Sequence, residues 1–132
     1  MSKFSGWSTT GDHVKNFQDL KVWEKAHGHA LELYQKTKDF PPEERYALTS
    51  QIRRCATSIP THIAEGCGRN GDAELSRFMQ IAMGSARELE YTLLLAKDLG
   101  LIHVAVYKTL VDQVYEVKRM LASFIKKLNA DR

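Results

Sequence analysis

Four stretches of this 132-residue chain repeat apolar side chains at alternating spacings of three and four, and no stretch alternates with a period of two. That pattern restricts the chain to helices with one face to bury, because only a repeat near 3.6 brings such positions onto one side. The first stretch opens at Asp19, read as an N-cap, carries Leu20, Trp23, Ala30 and Tyr34, and stops at Phe40-Pro41-Pro42. Glu43 and Glu44 then stand where a second helix begins, favourably placed for its dipole. Its stripe is Leu48, Ile52, Cys55, Ile59 and Ile63, and Pro60 inside it is expected to kink it, lacking an N–H and crowding the carbonyl four residues back. A third helix runs from about Asp72 to Leu99 on Leu75, Phe78, Ala82, Ser85, Leu89, Thr92, Ala96 and Leu99, closed by Gly100. The fourth carries Tyr107, Leu110, Val114, Val117, Leu121, Phe124 and Leu128. Short connectors between four such helices imply an all-α fold, an antiparallel up-down-up-down four-helix bundle with a Pro-kinked second helix. Residues 1–17 read as a flexible N-terminal extension and residues 18–132 as the bundle.

Composition acts mainly by exclusion. A chain of this length that is 43% hydrophobic buries one core. No run approaches the ~18 uninterrupted apolar residues of a membrane span, so no membrane partner is expected. The opening MSKFSGWSTTGDHVKN has no apolar secretory region. Cys55 and Cys67 would stand ~18 Å apart on one helix, beyond disulfide reach, which fits a cytoplasmic protein. Met79, Ala86 and Leu93 widen the third helix's apolar side, and Val104, Val111 and Ile125 widen the fourth's. A lone bundle needs roughly three apolar positions per heptad, so the excess predicts a second buried surface and homo-oligomerisation. The net charge of +3 is uneven: residues 1–117 carry 14 basic and 15 acidic side chains, residues 118–132 five basic against one acidic. Between Arg45 and Arg87 every cation is Arg, the forked donor suited to planar ion pairs and phosphates.

Motifs that would signal catalysis fail on context. A di-metal bundle needs two Glu-x-x-His pairs, and only Glu24 to His27 is present. His27 falls on the first helix's seam and reads as a core or interface histidine. Gly66-Cys67-Gly68-Arg69-Asn70-Gly71 matches G-x-G-x-x-G, but a helix precedes it, so it reads as a helix-to-helix turn. No histidine pairs recognisably with a Ser or Cys nucleophile; His62 and Glu65 form at most a surface pair. No enzyme activity, catalytic residue, metal or cofactor is therefore expected. Two polar faces carry more information. On the second helix Arg54, Ser58, Thr61, Glu65 and Arg69 share an arc of about 80° opposite the isoleucines, and Arg54, Glu65 and Arg69 are expected to make structural or interface ion pairs, within or between subunits. Glu88, between Ile81 and Leu95, calls for a cation, with Arg53 or Arg54 as the donor. On the fourth helix Lys108, Tyr115, Lys118, Arg119 and Lys126 lie on one face, about 145° from the buried side, with Lys118 at its edge. Four cations and a ring in line suit a phosphate backbone with occasional base stacking. Lys127 points elsewhere and suits the helix C-terminus.

Leu48-Thr49-Ser50-Gln51-Ile52-Arg53-Arg54, followed by Ser58-Ile59-Pro60-Thr61-His62-Ile63-Ala64-Glu65-Gly66-Cys67-Gly68-Arg69, closely resembles the signature of the bacterial four-helix-bundle family of 23S rRNA intervening-sequence proteins. Phe78 to Leu101, with Gly84-Ser85, Glu88-Leu89-Glu90 and Ala96-Lys97-Asp98-Leu99-Gly100, is similar to the family's third helix, and Phe17 to Trp23 to its opening. His62, Cys67 and Met83 depart from the family's usual residues, the last where a cation would have favoured RNA contact by the third helix. The resemblance implies a cytoplasmic homopentameric bundle without known catalysis, related to bundles that bind nucleic acid. The expected function is a non-catalytic oligomeric protein that binds or scaffolds nucleic acid, RNA before DNA. The alternative is a protein-interaction adaptor, with a protein partner and no nucleic-acid binding.

Overall fold

A computed structural model of the chain describes residues 16–130, and within them four helices and no strand. These are α1 (Lys21–Thr37), α2 (Ser50–Cys67), α3 (Asp72–Asp98) and α4 (Val104–Ala130). Of the expected N-terminal extension only Asn16 and Phe17 lie within the described residues. Asn16 Oδ1 accepts from the Gln18 N–H and opens a 3-10 turn, Phe17–Asp19. Asp19 is thus a turn residue and not a cap; Leu20 precedes α1 with no side-chain cap, and its carbonyl accepts from the Glu24 N–H.

Contacts between neighbouring helices run in opposite senses. Ser58 meets Ser85 while Gly66 meets Phe78, and Ser76 meets Asn129 while Glu90 meets Lys118, so rising numbers on one helix face falling numbers on the next. On the expected α2 stripe Leu48, Ile52, Cys55, Ile59 and Ile63 are buried, and on that of α4 Leu110, Val114, Val117, Leu121, Phe124 and Leu128 are buried while Tyr107 is half-buried. Of the expected α1 seam, Leu20 and Ala30 are buried, whereas Trp23 and Tyr34 each stand one residue past a core position. Val22, Ala26, His29, Ala30 and Leu33 face the core, while Trp23 is half-buried and Tyr34 and His27 are exposed. The core histidine is His29.

The apolar width of α3 and α4 is largely taken up inside the chain. Met79, Ala86, Leu93 and Val111 are buried within the bundle and Ile125 is half-buried, whereas Val104 is exposed. Leu99, read as the last seam position of α3, is 58% exposed because the helix has ended. Gly100, with φ of 78°, turns the chain there: its N–H bonds the Lys97 carbonyl and the Leu101 N–H bonds the Ala96 carbonyl, the double bond of a Schellman cap.

The start of α2 also differs from the pattern. Pro42–Glu44 forms a 3-10 turn, and Arg45–Thr49 then winds as a π-helical turn before α2 proper begins at Ser50. α2 continues through Pro60, which is buried. No helix among the described residues is long and apolar enough to cross a membrane.

Candidate nucleic-acid interface

The outer face of α4 holds the five residues singled out in sequence, with unequal freedom. Tyr115 is 40% exposed, and the Glu90 carboxylate beside it holds its phenol pKa above the usual value, so the ring stays neutral. Lys118, half-buried, places Nζ 2.6 Å from Glu90 Oε1 and 5.5 Å from the Tyr115 ring centroid. A cation held that closely by a carboxylate from α3 is not available to a phosphate. Lys108 lies 3.7 Å from Asp112 across one helical turn, a loose pair whose lysine is 77% exposed. Arg119 and Lys126 are exposed and meet no carboxylate among the described residues. The face therefore keeps two unpaired cations, one weakly paired and one ring.

The polar stripe of α2 is built differently from its expected form. Arg69 and Glu65 pair at 2.9 Å across one turn, both well exposed, a pair of the kind that contributes at most about 1 kcal/mol. Arg54 is exposed and makes no ion pair within the chain among the described residues. Arg53 turns away from Glu88: its Nε donates to Thr37 Oγ1 at 2.9 Å, its Nη2 to the Tyr34 carbonyl at 3.2 Å, and its guanidinium lies 4.6 Å over the Tyr34 ring. Glu88 is exposed, so water screens it and no cation is required. Its contact is the Cys55 thiol, whose pKa is pushed up to about 12, first by burial and then by that carboxylate. Burial alone raises Cys67 to about 11, so neither thiol is an activated nucleophile. His62 bonds back to Ser58 through Nδ1 and does not pair with Glu65. Among the described residues no group of three or more His, Cys, Asp or Glu side chains is placed to hold a metal ion.

The family model for the 23S rRNA-intervening sequence protein matches residues 18–123. The chain belongs to that family. Its described bundle is also similar to a crystal structure of a protein of unknown function from the S23 ribosomal protein family of Bacteroides thetaiotaomicron, with a TM-score of 0.74 and 27% identity, covering 80% of this chain and 95% of that one. No curated protein matches.

Two features of this family member escaped the sequence reading. One is an apolar groove of about 430 Å³ between α1 and α2, floored by Ala30, Pro60 and Ala64 and flanked by Trp23, Leu31 and Tyr34. It exists because Trp23 and Tyr34 lie beside the α1 seam and not on it. The other lies at the π-helical turn, where Arg45 and Tyr46 stand next to Arg53 and Arg54. The Arg-only run from Arg45 onward was its signal, but helical geometry from Glu43 would have aimed these side chains elsewhere.

Proposed function

We propose that this chain is a non-catalytic, cytoplasmic bundle protein that assembles into a homo-oligomer, a pentamer, and binds RNA. What supports RNA binding is the unpaired part of the α4 face, where Arg119, Lys126 and the loosely paired Lys108 flank an exposed neutral tyrosine. Cations left without carboxylates attract phosphate, and repetition of the face around an assembly adds avidity. The family's name, which ties it to 23S rRNA, points the same way.

Log affinity for single-stranded RNA should fall with log salt by ~0.7 per neutralised phosphate. Replacing Arg119 and Lys126 together with Gln should flatten that slope by ~1.4 in a mobility-shift series, while Lys118→Gln should leave it nearly unchanged because Glu90 already holds that charge. Absence of any RNA or DNA shift by the wild type at low salt would sink the reading.

The alternative is a protein-interaction adaptor, and the observation favouring it is the α1–α2 groove, an apolar surface of the sort that receives another helix. Capture of a protein partner by a chain that shifts no nucleic acid would establish it. For assembly, light scattering should report about five times the 15.0 kDa chain mass. A monodisperse monomer at micromolar concentration would remove the oligomer from the proposal. The exposed apolar side chains available for such contacts include Leu31, Ile81, Tyr91, Leu94, Leu99 and Val104, since most of the flanking residues that suggest a second surface are inside the bundle.

A further inference from the structure

The concavity at the entry to α2 is unlike the rest of the surface. About 390 Å³ in volume, it lies between the end of α1, the π-helical turn and the first turns of α2. Three arginines line it, Arg45, Arg53 and Arg54, and no carboxylate does. A second concavity of about 280 Å³ shares Arg45, Thr49 and Arg53 with it, adds Lys38, and again has no carboxylate in its lining. Elsewhere Lys25, Arg69, Arg77, Lys108 and Lys118 each meet an acidic side chain within the chain, and the unpaired Arg119 and Lys126 of α4 line neither concavity. Here four cations line two adjoining concavities, and no carboxylate lines either.

Arg53 is also fixed in advance. Its hydrogen bonds go to a threonine hydroxyl and a backbone carbonyl, which orient the guanidinium without neutralising it. Thr37 is in turn anchored by donating to the Leu33 carbonyl at 2.8 Å. Beside this set Tyr46 stands 90% exposed, the most exposed large hydrophobic side chain among the described residues. The π-helical turn is the reason: its wider winding carries Arg45 and Tyr46 outward while Leu48 and Thr49 remain buried. A ring fully in water next to unneutralised guanidinium groups combines the two elements that hold an unpaired nucleotide, a stacking surface and phosphate donors.

We propose that this trough is a binding site for single-stranded RNA, in which Arg45, Arg53 and Arg54 take consecutive phosphates and Tyr46 stacks on an unpaired base. The site rests on the RNA-binding reading above but lies apart from the α4 face. A single exposed ring cannot stack on bases already stacked and paired in a duplex, so the site selects unpaired strands.

Fluorescence anisotropy with a labelled 12-nucleotide single-stranded RNA tests it, alongside the same RNA as a duplex and a DNA strand of equal sequence. The double variant Arg45→Gln, Arg54→Gln should flatten the log–log salt slope by ~1.4, so that the wild type loses about sevenfold more affinity than the variant between 50 and 200 mM salt. Tyr46→Ala should weaken single-stranded RNA roughly 5- to 150-fold, Tyr46→Phe should bind as the wild type does, and duplex affinity should not respond to either. These side chains are exposed, and circular dichroism of each variant confirms that the bundle is intact. If the wild type binds RNA and these variants bind equally well, while Arg119→Gln with Lys126→Gln loses binding, the trough is overturned and the α4 face stands. A Tyr46→Ala variant that weakens duplex as much as single strand overturns the stacking assignment. Tighter binding of the DNA strand than of the RNA overturns the choice of RNA. A wild type that binds no nucleic acid at 50 mM salt overturns the parent reading together with this one.

Discussion

Gly66→Ala is expected to destabilise the bundle by about 1–3 kcal/mol, lowering the thermal midpoint by roughly 4–12 °C. Helix propensity alone predicts the reverse, since alanine inside a helix is favoured over glycine by ~1 kcal/mol. The contact decides the sign. A Cβ at Gly66 would lie 2.8 Å from Phe78 Cβ and 3.1 Å from Leu75 Cδ1, so α2 and α3 must separate to admit it. Neither neighbour can swing aside, because Leu75 and Phe78 are both buried in the bundle. Gly28 in α1 is the internal control: nothing lies within 4 Å of the position its Cβ would take. Gly28→Ala should therefore stabilise by up to ~1 kcal/mol. Paired thermal melts of the two variants check both signs, and a Gly66→Ala protein at least as stable as the wild type would contradict the close-packing argument.

Gly66 also shows what is legible in the sequence. Gly66 sat in a string that superficially matched a dinucleotide fingerprint, and the preceding helix was enough to identify a helix–helix junction. Why the first glycine must be glycine depended on Phe78, twelve residues on, which no local pattern displays. Helix α4 was readable because branched aliphatic residues and Phe124 fill its core positions, and α2 because Ile52, Ile59 and Ile63 mark the stripe along which its smaller core residues lie. α1 was not, because its core side is Val22, Ala26, His29, Ala30 and Leu33, small or polar for the most part, while Trp23 and Tyr34 beside it are larger. Their size draws the expected seam to Trp23 and Tyr34, one residue past Val22 and Leu33, while Leu20 and Ala30 are buried as expected. On α4 a single-helix projection places Lys118 at the edge of the outer face but cannot show that Glu90 of α3 reaches it. Charge pairing between helices is a tertiary fact. So is the width of α3, which packs against both α2 and α4 and consumes apolar positions that one helix alone would have to expose. The arginine trough depended on a π-helical turn, a winding for which the residues Arg45–Thr49 carry no distinct propensity.

Acidification should destabilise this bundle before its carboxylates titrate, and His29 is the reason. Its imidazole is 5% exposed between α1 and α4, and its pKa is lowered from 6.5 to about 4, chiefly by burial. The nearby Glu32 carboxylate and the Leu110 backbone pull the other way without prevailing. Nor do the charges around the neighbouring cavity, where Lys25 and Glu116 pair with each other at 3.0 Å. His29 Nε2 meets no hydrogen-bond partner within the described residues, so an added proton there would find no acceptor. In the unfolded chain the same ring takes up its proton near pH 6.5, and in the folded chain only near pH 4. Between these values the unfolded state binds more protons, so stability is complete above about pH 6.5 and is lost as the pH falls toward 4. A shift of this size corresponds to roughly 3 kcal/mol at its limit. Urea unfolding at pH 7, 6, 5 and 4.5 should trace that decline in the wild type. His29→Gln, which cannot take up a proton, should remove the portion between pH 6.5 and 5, where carboxylates of ordinary pKa are still largely ionised. If the wild type and His29→Gln lose stability in parallel over that interval, the acid sensitivity belongs to other groups and the buried imidazole does not carry it.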